Sequence, residues 1–146
     1  GLARQVRAVG ATWLDRQLLD GDASPPTRGF GARVREALRL REDFLVTQGL
    51  AVRRAARVVL ARDLLAALRQ RELAVVGRSL QARSARLYRP PARHAVVAGV
   101  YRRSLQLVSG RFALVQDGQG FSLVPWPPGL GPHGLAPRPS HLRRLA

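Results

Sequence analysis

The stretch that decides the fold, residues 97–126, reads VAGVYRRSLQLVSGRFALVQDGQGFSLVPW. Its three runs are rich in Val, Leu, Phe and Tyr, which suit pleated, half-buried strands. The runs are separated by Ser109-Gly110 and by Asp117-Gly118-Gln119-Gly120. Gly and Asp tolerate the left-handed backbone that tight hairpins need. We therefore predict an antiparallel meander with strands at 96–108, 111–116 and 121–124, and apolar alternation along it predicts one buried face.

Upstream of this meander the apolar residues recur at helical spacing. A short amphipathic helix is predicted from Trp13, Leu14, Leu18 and Leu19. A longer helix is predicted at 32–47 from Val34, Leu38, Phe44 and Leu45. Gly49 is the expected C-cap of that helix, and Asp63 is the expected N-cap of a second one that extends to about Arg83. Gly77 should weaken this second helix by about 1 kcal/mol relative to Ala.

A short hairpin is predicted between the two long helices, with one strand at 50–53 and the other at 58–60. Its arginines are Arg53, Arg54 and Arg57. A helix, a two-stranded wing and another helix occur together in winged-helix modules, where the wing can contact nucleic acid. Such hairpins also serve as plain connectors, so both interpretations remain open.

Two expectations concern burial. Arg41 falls inside the apolar stripe of the helix at 32–47, and we expect its stem to reach the rim and keep the charge in water. Trp13, Phe112 and Phe121 are expected in the core, which would leave few aromatic rings for stacking on bases.

These elements predict an α+β chain in four regions. Residues 1–88 form a mainly helical region with the winged hairpin, and residues 89–95 form a linker. Residues 96–126 form the meander, a partial barrel. Residues 127–146 are dense in Pro and Gly without periodicity, and we expect them to be disordered.

Composition limits the class of protein. A chain of 146 residues can bury a core, and the absence of Cys excludes disulfides and thiolate metal sites. No apolar run has the length of a membrane span, and no signal peptide opens the chain. Because the chain also has no Met, we expect it to be a piece of a longer cytoplasmic protein.

Charge is the second strong signal. The formal net charge is +16, from 25 basic residues, all Arg, against 9 acidic ones. Arg in place of Lys is typical of a GC-rich genome, but GC-rich codons also encode Asp and Glu, so they do not explain the excess of base over acid. A charge this large favours a polyanionic partner such as nucleic acid, and a merely solvated basic surface is the alternative.

Catalytic residues are not evident. His94 lies in the linker, and His133 and His141 lie in the Pro/Gly-rich tail, without metal-ligand spacing. Tyr88 and Tyr101 have no activating base nearby in sequence. We expect no enzyme, cofactor, metal or small-molecule ligand.

Several motifs carry a resemblance. They are AGVYRRSLQL, SGRFAL and GFSLVPW within 98–126, with GATWLDRQLL at 10–19, GFGARVREAL at 29–38, QGLA at 48–51 and LARDLLAALRQREL at 60–73. In this order they resemble the C-terminal domain, of unassigned function, of bacterial plasmid relaxases, the mobilisation nucleases of conjugal transfer. Relaxases of this kind cleave one DNA strand with a nucleophilic Tyr and a His-held metal. Those parts belong to an upstream nuclease domain and do not map onto this chain.

The sequence departs from the resembled family after Trp126, where the family carries further regular structure that completes a barrel-like unit. A frameshift near Pro127 in a GC-rich gene would produce the Pro/Gly/Arg tail. Translating the neighbouring reading frame of the gene tests this hypothesis, because a family-like ending should appear there.

Two functions follow as expectations. The first is an accessory domain whose arginines contact single- or double-stranded DNA, mainly at the phosphate backbone of the DNA. The candidate contacts are Arg53, Arg54 and Arg57 on the wing, Arg102 and Arg103 in the sheet, and Arg33, Arg35 and Arg39 on the first long helix. The second is a docking domain, in which the Trp13 helix or the sheet binds the coupling protein, a relaxosome protein or the nuclease domain. A contiguous apolar patch would favour docking, and an arginine stripe would favour DNA.

Overall fold

The computed structural model describes residues 1–21, 29–90 and 97–126. The chain divides into two compact units, Gly1–Arg71 and Glu72–Ala146. The mixture of helices with two small antiparallel sheets confirms the predicted α+β class. Most of the predicted linker at 89–95 and all of the tail at 127–146 lie outside the described residues.

The first unit contains three helices, a hairpin and the beginning of a fourth helix. In chain order these are α1 (Leu2–Val6), α2 (Trp13–Asp20), α3 (Gly29–Thr47), β1 (Ala51–Arg54), β2 (Arg57–Leu60) and α4 (Leu64–Ser84), of which residues 64–71 belong here. The predicted helix ends are confirmed at two places. Gly49 follows α3 with a φ of 75°, a left-handed conformation that Gly adopts without strain, and α4 begins directly after Asp63.

The predicted hairpin is confirmed as β1 and β2, which pair antiparallel with Ala51 opposite Leu60 and Arg54 opposite Arg57. Its inner face belongs to the core of the unit through Ala51, Val58 and Leu60. The buried core comprises Ala11, Leu45, Leu50, Ala51, Leu64 and Leu68, with further side chains packed around them. An apolar stripe on α3 and the first turns of α4 thus close over the hairpin.

Arg41 corrects one expectation. Its side chain does not reach the rim, because its relative exposure is 0%. The guanidinium group binds both carboxylate oxygens of Asp15, Nε to Oδ1 at 2.8 Å and Nη2 to Oδ2 at 2.9 Å. It also donates to the backbone carbonyls of Gln5, Val6, Ala8 and Gly10 at 2.8–3.1 Å. The burial is tolerated because the charge is paired and its donors are satisfied.

Asp15 links this network to the start of α2. Its carboxylate accepts from the backbone N–H of Thr12 at 2.8 Å and from the Thr12 hydroxyl at 2.9 Å. The Thr12 Oγ1 in turn accepts from the Asp15 N–H, which completes a capping box at the N-terminus of α2. Arg41 therefore ties the carbonyls around the end of α1, a five-residue helix too short to be stable alone, to α2 and α3.

The second unit contains residues 72–84 of α4 followed by β3 (Val100–Leu107), β4 (Gly110–Asp117) and β5 (Gly120–Pro125). The strand order β3-β4-β5, antiparallel throughout, confirms the predicted meander. The first strand begins at Val100 rather than at 96. The sheet formed by the described residues is open and does not close into a barrel.

Both faces of this sheet carry buried side chains, which differs from the prediction of one buried face. Phe112 and Ala113 are adjacent on β4, point to opposite faces, and are both buried. One face holds Ala113, Val115 and Val124, with Tyr101 and Trp126 in edge-to-face contact at 5.7 Å. The prediction took Phe112 and Leu114 to alternate with polar neighbours, as Leu105 and Leu107 do. It was wrong because β4 and β5 carry buried apolar side chains on both faces.

The rest of α4 is tied to the sheet unit at two points. The Glu72 carboxylate, buried at 6% exposure, accepts from the N–H groups of Val108 and Ser109, both at 2.8 Å, and so holds the β3–β4 turn. The Tyr88 ring lies against Gly77, where any Cβ would collide with it, and contacts Phe121 at 5.4 Å between ring centroids. This close approach is the physical reason for a glycine inside the helix.

Among the described residues, no helix combines the length and the apolar character that crossing a membrane requires.

Candidate nucleic-acid interface

A pocket of about 270 Å³ lies in the second unit, between the end of α4, the segment that follows it and the sheet. Its apolar lining consists of Leu80, Leu114 and Phe121. Four arginines and two neutral polar residues complete the wall, namely Arg83, Arg86, Arg102, Arg103, Ser84 and Gln116. None of the described residues that line the pocket carries a carboxylate, so this wall is strongly cationic.

A β-bulge brings Arg102 and Arg103 to the same pocket. In the β3–β4 register Tyr101 pairs with Val115 and Arg103 with Leu114, so that Arg102 is the extra residue. Successive side chains of a regular strand point to opposite faces, and a bulge re-aims one of them. The predicted pair of sheet arginines is therefore brought together at one site.

Arg83 and Arg86 reach the pocket because α4 ends at Ser84 and the chain then turns sharply. Ala85 has a φ of 58°, and the Ser84 hydroxyl donates to the Leu80 carbonyl and accepts from the Arg86 N–H. The segment then pairs with β5, since the Phe121 N–H donates to Leu87 O at 2.9 Å. These two arginines complete the cationic wall.

Gly120 makes this pairing possible. A Cβ at that position would collide with the Leu87 carbonyl oxygen, so only glycine allows the two backbones to approach. The preceding turn is held by Asp117, whose Oδ1 accepts from the N–H of Gln119 at 2.7 Å and of Gly120 at 3.0 Å. Asp117 Oδ2 also accepts from Arg89 at 3.3 Å, which anchors the segment after α4.

All four pocket arginines are exposed. Their guanidinium groups make no hydrogen bond or ion pair with any other described residue. Ordinarily a basic surface is interspersed with carboxylates that neutralise it. Four free guanidinium groups around one cavity are instead suited to oxygen-rich anions, which they can bind in bidentate geometry.

The first unit offers a second, smaller group at the tip of the β1–β2 hairpin. Arg54 and Arg57 are exposed, lie directly opposite each other in the register and share the outer face with Val52 and Val59. Like charges opposite each other on neighbouring strands destabilise the pair. A bound anion would relieve this repulsion.

The other arginines of the first unit that were predicted to contact DNA differ in whether they form ion pairs. Arg53 and Arg39 both form ion pairs with Asp43, and Arg39 also bonds Glu36 at 2.6 Å. The hydrogen bond from Arg39 lowers the pKa of Glu36 below its ordinary value. Arg33 and Arg35 are exposed on α3 and have no ion-pair partner among the described residues.

The aromatic residues correct a further expectation. Trp13 is 43% exposed and so does not belong to the core, whereas Phe112 and Phe121 are buried as predicted. The reason is that Leu14 takes the inward position on the short helix α2. Trp13 is thus an exposed ring on the first unit.

Sequence reasoning did not select Arg83 and Arg86. A basic residue in the last turn of a helix ordinarily interacts with the helix dipole, so Arg83 carries no functional signal by itself. Within the described residues no group of three His, Cys, Asp or Glu side chains could hold a metal ion. The three histidines lie outside the described part of the chain.

Comparison with known protein families identifies the family of this chain. Residues 1–134 match the family model of DUF3363, described as a protein of unknown function. The chain belongs to this family. No curated protein and no solved structure matches it.

Proposed function

We propose that this DUF3363 chain is an accessory C-terminal domain of a conjugative or mobilisation relaxase that contacts DNA through its unpaired arginines and has no nuclease site of its own. The relaxase context rests on the resemblance of residues 10–126 to that domain. A cytoplasmic location and partners among relaxosome or coupling proteins belong to the same proposal.

The observation that carries the DNA-binding part is the arginine pocket, defined as Arg83, Arg86, Arg102 and Arg103 around one cavity whose described lining contains no carboxylate. A net charge of +16 alone supports only non-specific attraction. Guanidinium groups that lie close together without ion-pair partners form a candidate phosphate-binding site, because they can form short, charge-assisted bonds to phosphate oxygens without first breaking ion pairs. The hairpin tip, Arg54 with Arg57, is the expected secondary contact.

The test compares two variants that each lose two positive charges. Arg102→Gln with Arg103→Gln removes half of the arginine pocket, and Arg39→Gln with Arg53→Gln removes two exposed arginines that are held in ion pairs. Binding of labelled single- and double-stranded DNA is measured over a range of salt concentrations. Each lost phosphate contact should reduce the slope of log K against log salt by about 0.7 for a single strand and about 0.9 for a duplex.

The proposal predicts a clear loss of affinity and a shallower salt slope in the pocket variant, with a smaller change in the ion-pair variant. Equal losses in the two variants would mean that overall charge alone drives binding. Salt-insensitive binding, or no binding by the unsubstituted chain, would refute the DNA-binding role.

The alternative is a docking domain within the relaxosome. The specific observation that favours it is Trp13, since exposed Trp residues are enriched at the centres of protein interfaces. The two functions separate experimentally, because Trp13→Ala should leave DNA affinity unchanged and should weaken binding to a purified relaxase nuclease domain or coupling protein.

A further inference from the structure

The arginine pocket has features that phosphate binding does not require. Its lining includes three apolar side chains, Leu80, Leu114 and Phe121. Gln116 also lines it, half-buried, and its side-chain amide has no hydrogen-bond partner among the described residues. A surface that bound only a phosphate backbone would need the arginines and nothing more.

The combination matches the parts of one unstacked nucleotide. The guanidinium groups can hold a phosphate, and their planes can also stack on a base. The apolar lining can cover the faces of a planar ring, and the Gln116 amide can both donate to and accept from the polar edge of a base. The volume of about 270 Å³ lies just below the range of about 300–1,000 Å³ typical of small-molecule pockets, and so limits the occupant to a single group.

We propose that the arginine pocket receives one nucleotide of an unpaired DNA strand, base inward and phosphate at the arginines, and thereby selects single-stranded over duplex DNA. This inference rests on the proposed DNA-binding function and specifies the type of nucleic acid. In a duplex the bases are paired and stacked, so only the phosphates could reach the arginines, and filling the pocket would require extruding a base.

The test fills the pocket without removing charge. Ser84 is an exposed residue of its wall at the end of α4, and Ser84→Trp places an indole at the opening while all four arginines remain. Two controls are matched to it. Ser79→Trp is the same substitution at another exposed position of α4 outside the pocket. Ser84→Ala removes only the hydroxyl bonds to the Leu80 carbonyl and the Arg86 N–H and leaves the pocket open. Gln116→Ala is a second variant that removes only the amide.

Affinities are measured by fluorescence anisotropy for one mixed-sequence oligonucleotide, as a single strand and as a duplex of the same length. Far-UV circular dichroism verifies the fold of each variant. The unsubstituted chain should prefer the single strand about tenfold, the value expected from contacts to one base. Ser84→Trp should abolish this preference, and Gln116→Ala should reduce it severalfold. Ser79→Trp and Ser84→Ala should preserve it.

The outcomes separate the two proposals. Salt-sensitive binding to both forms of DNA with equal affinity, unchanged by Ser84→Trp, would overturn the nucleotide pocket while leaving the DNA-binding function intact. Absence of salt-sensitive binding to either form would overturn the DNA-binding function itself. Displacement of the single strand by a deoxynucleoside monophosphate, at equal concentration of nucleotide units, would also overturn the assignment, because the pocket would then be a site for free nucleotides.

Discussion

Replacing Arg41 by Met should destabilise the first unit more than any other single arginine substitution on α3. Met is unbranched and uncharged, so it can fill the space of the aliphatic stem of Arg41, but it is shorter and does not replace the guanidinium group. It cannot donate the hydrogen bonds that Arg41 gives to Asp15 and to the carbonyls of Gln5, Val6, Ala8 and Gly10. The substitution leaves a buried carboxylate without its counter-ion.

The expected magnitude follows from that uncompensated charge. Removing one partner of a buried ion pair costs about 3–5 kcal/mol. Adding the six hydrogen bonds of Arg41 separately, at about 1.5–3 kcal/mol each, would exceed the total stability of many domains, which is about 5–15 kcal/mol. The bonds share one guanidinium group and are therefore not additive, so we predict a loss of about 3–5 kcal/mol.

The measurement is urea unfolding followed by far-UV circular dichroism. Arg39→Met is the matched control, because Arg39 lies on the same helix with a side chain that is 59% exposed, and exposed ion pairs contribute little to stability, so it should cost far less than Arg41→Met. In a double-mutant cycle, Asp15→Asn with Arg41→Met should cost less than the sum of the two single changes. The double variant should still be less stable than the unsubstituted chain, because the backbone carbonyls lose their donor.

If Arg41→Met lowered the free energy of unfolding by less than about 1 kcal/mol, or by no more than Arg39→Met does, the buried ion pair would not have the stabilising role assigned to it. Additive effects of the two single substitutions would also contradict this role, because they would mean that Asp15 and Arg41 do not stabilise each other.

Three smaller predictions concern the second unit. Gly77→Ala should lower the midpoint of thermal unfolding, because the new Cβ collides with the Tyr88 ring. Helix propensity alone predicts the opposite, a gain in stability of about 1 kcal/mol. An increased midpoint would therefore contradict this packing. Burial raises the pKa of Tyr88 above its ordinary value of 10.0, so above about pH 10 the unfolded chain binds fewer protons than the folded one, and stability falls as pH rises. Tyr88→Phe should therefore reduce this fall in stability, as measured by urea unfolding at several pH values. An unchanged dependence of stability on pH would argue against a buried Tyr88. Glu72→Gln replaces one of the two Glu72 carboxylate oxygens that accept hydrogen bonds from the β3–β4 turn. It should lower the free energy of unfolding in urea by about 1–3 kcal/mol. No measurable loss of stability would contradict the role of Glu72 at this turn.

The elements that could be predicted from the sequence are those whose signals are local. The Asp117 turn is held by bonds to residues two and three positions away, and the wing at 51–60 is bounded by a helix cap on each side. Turn chemistry and apolar spacing are sufficient for such features. The meander, the hairpin and both long helices were therefore predictable.

What could not be predicted depends on contacts between distant residues. Arg41 falls inside an apolar stripe, and the burial of its charge could not be predicted because its partner Asp15 lies 26 positions away in the sequence. The arginine pocket needs the bulge at Arg102 and the left-handed turn at Ala85, and neither has a distinct sequence signal. Thus Arg102 and Arg103 could be named from the sequence, whereas their partners Arg83 and Arg86 required the fold.

The most direct test of the central claim is to map the DNA contact by NMR, titrating the isotope-labelled chain with a short single-stranded oligonucleotide at moderate salt. If DNA binds at the arginine pocket, the largest backbone amide shifts should lie around it, at residues 83–86, 102–103 and 114–116. Smaller shifts are expected at the hairpin tip, residues 54–57. Shifts spread evenly over all exposed arginines, or concentrated around Trp13 with the pocket unaffected, would contradict binding at this pocket.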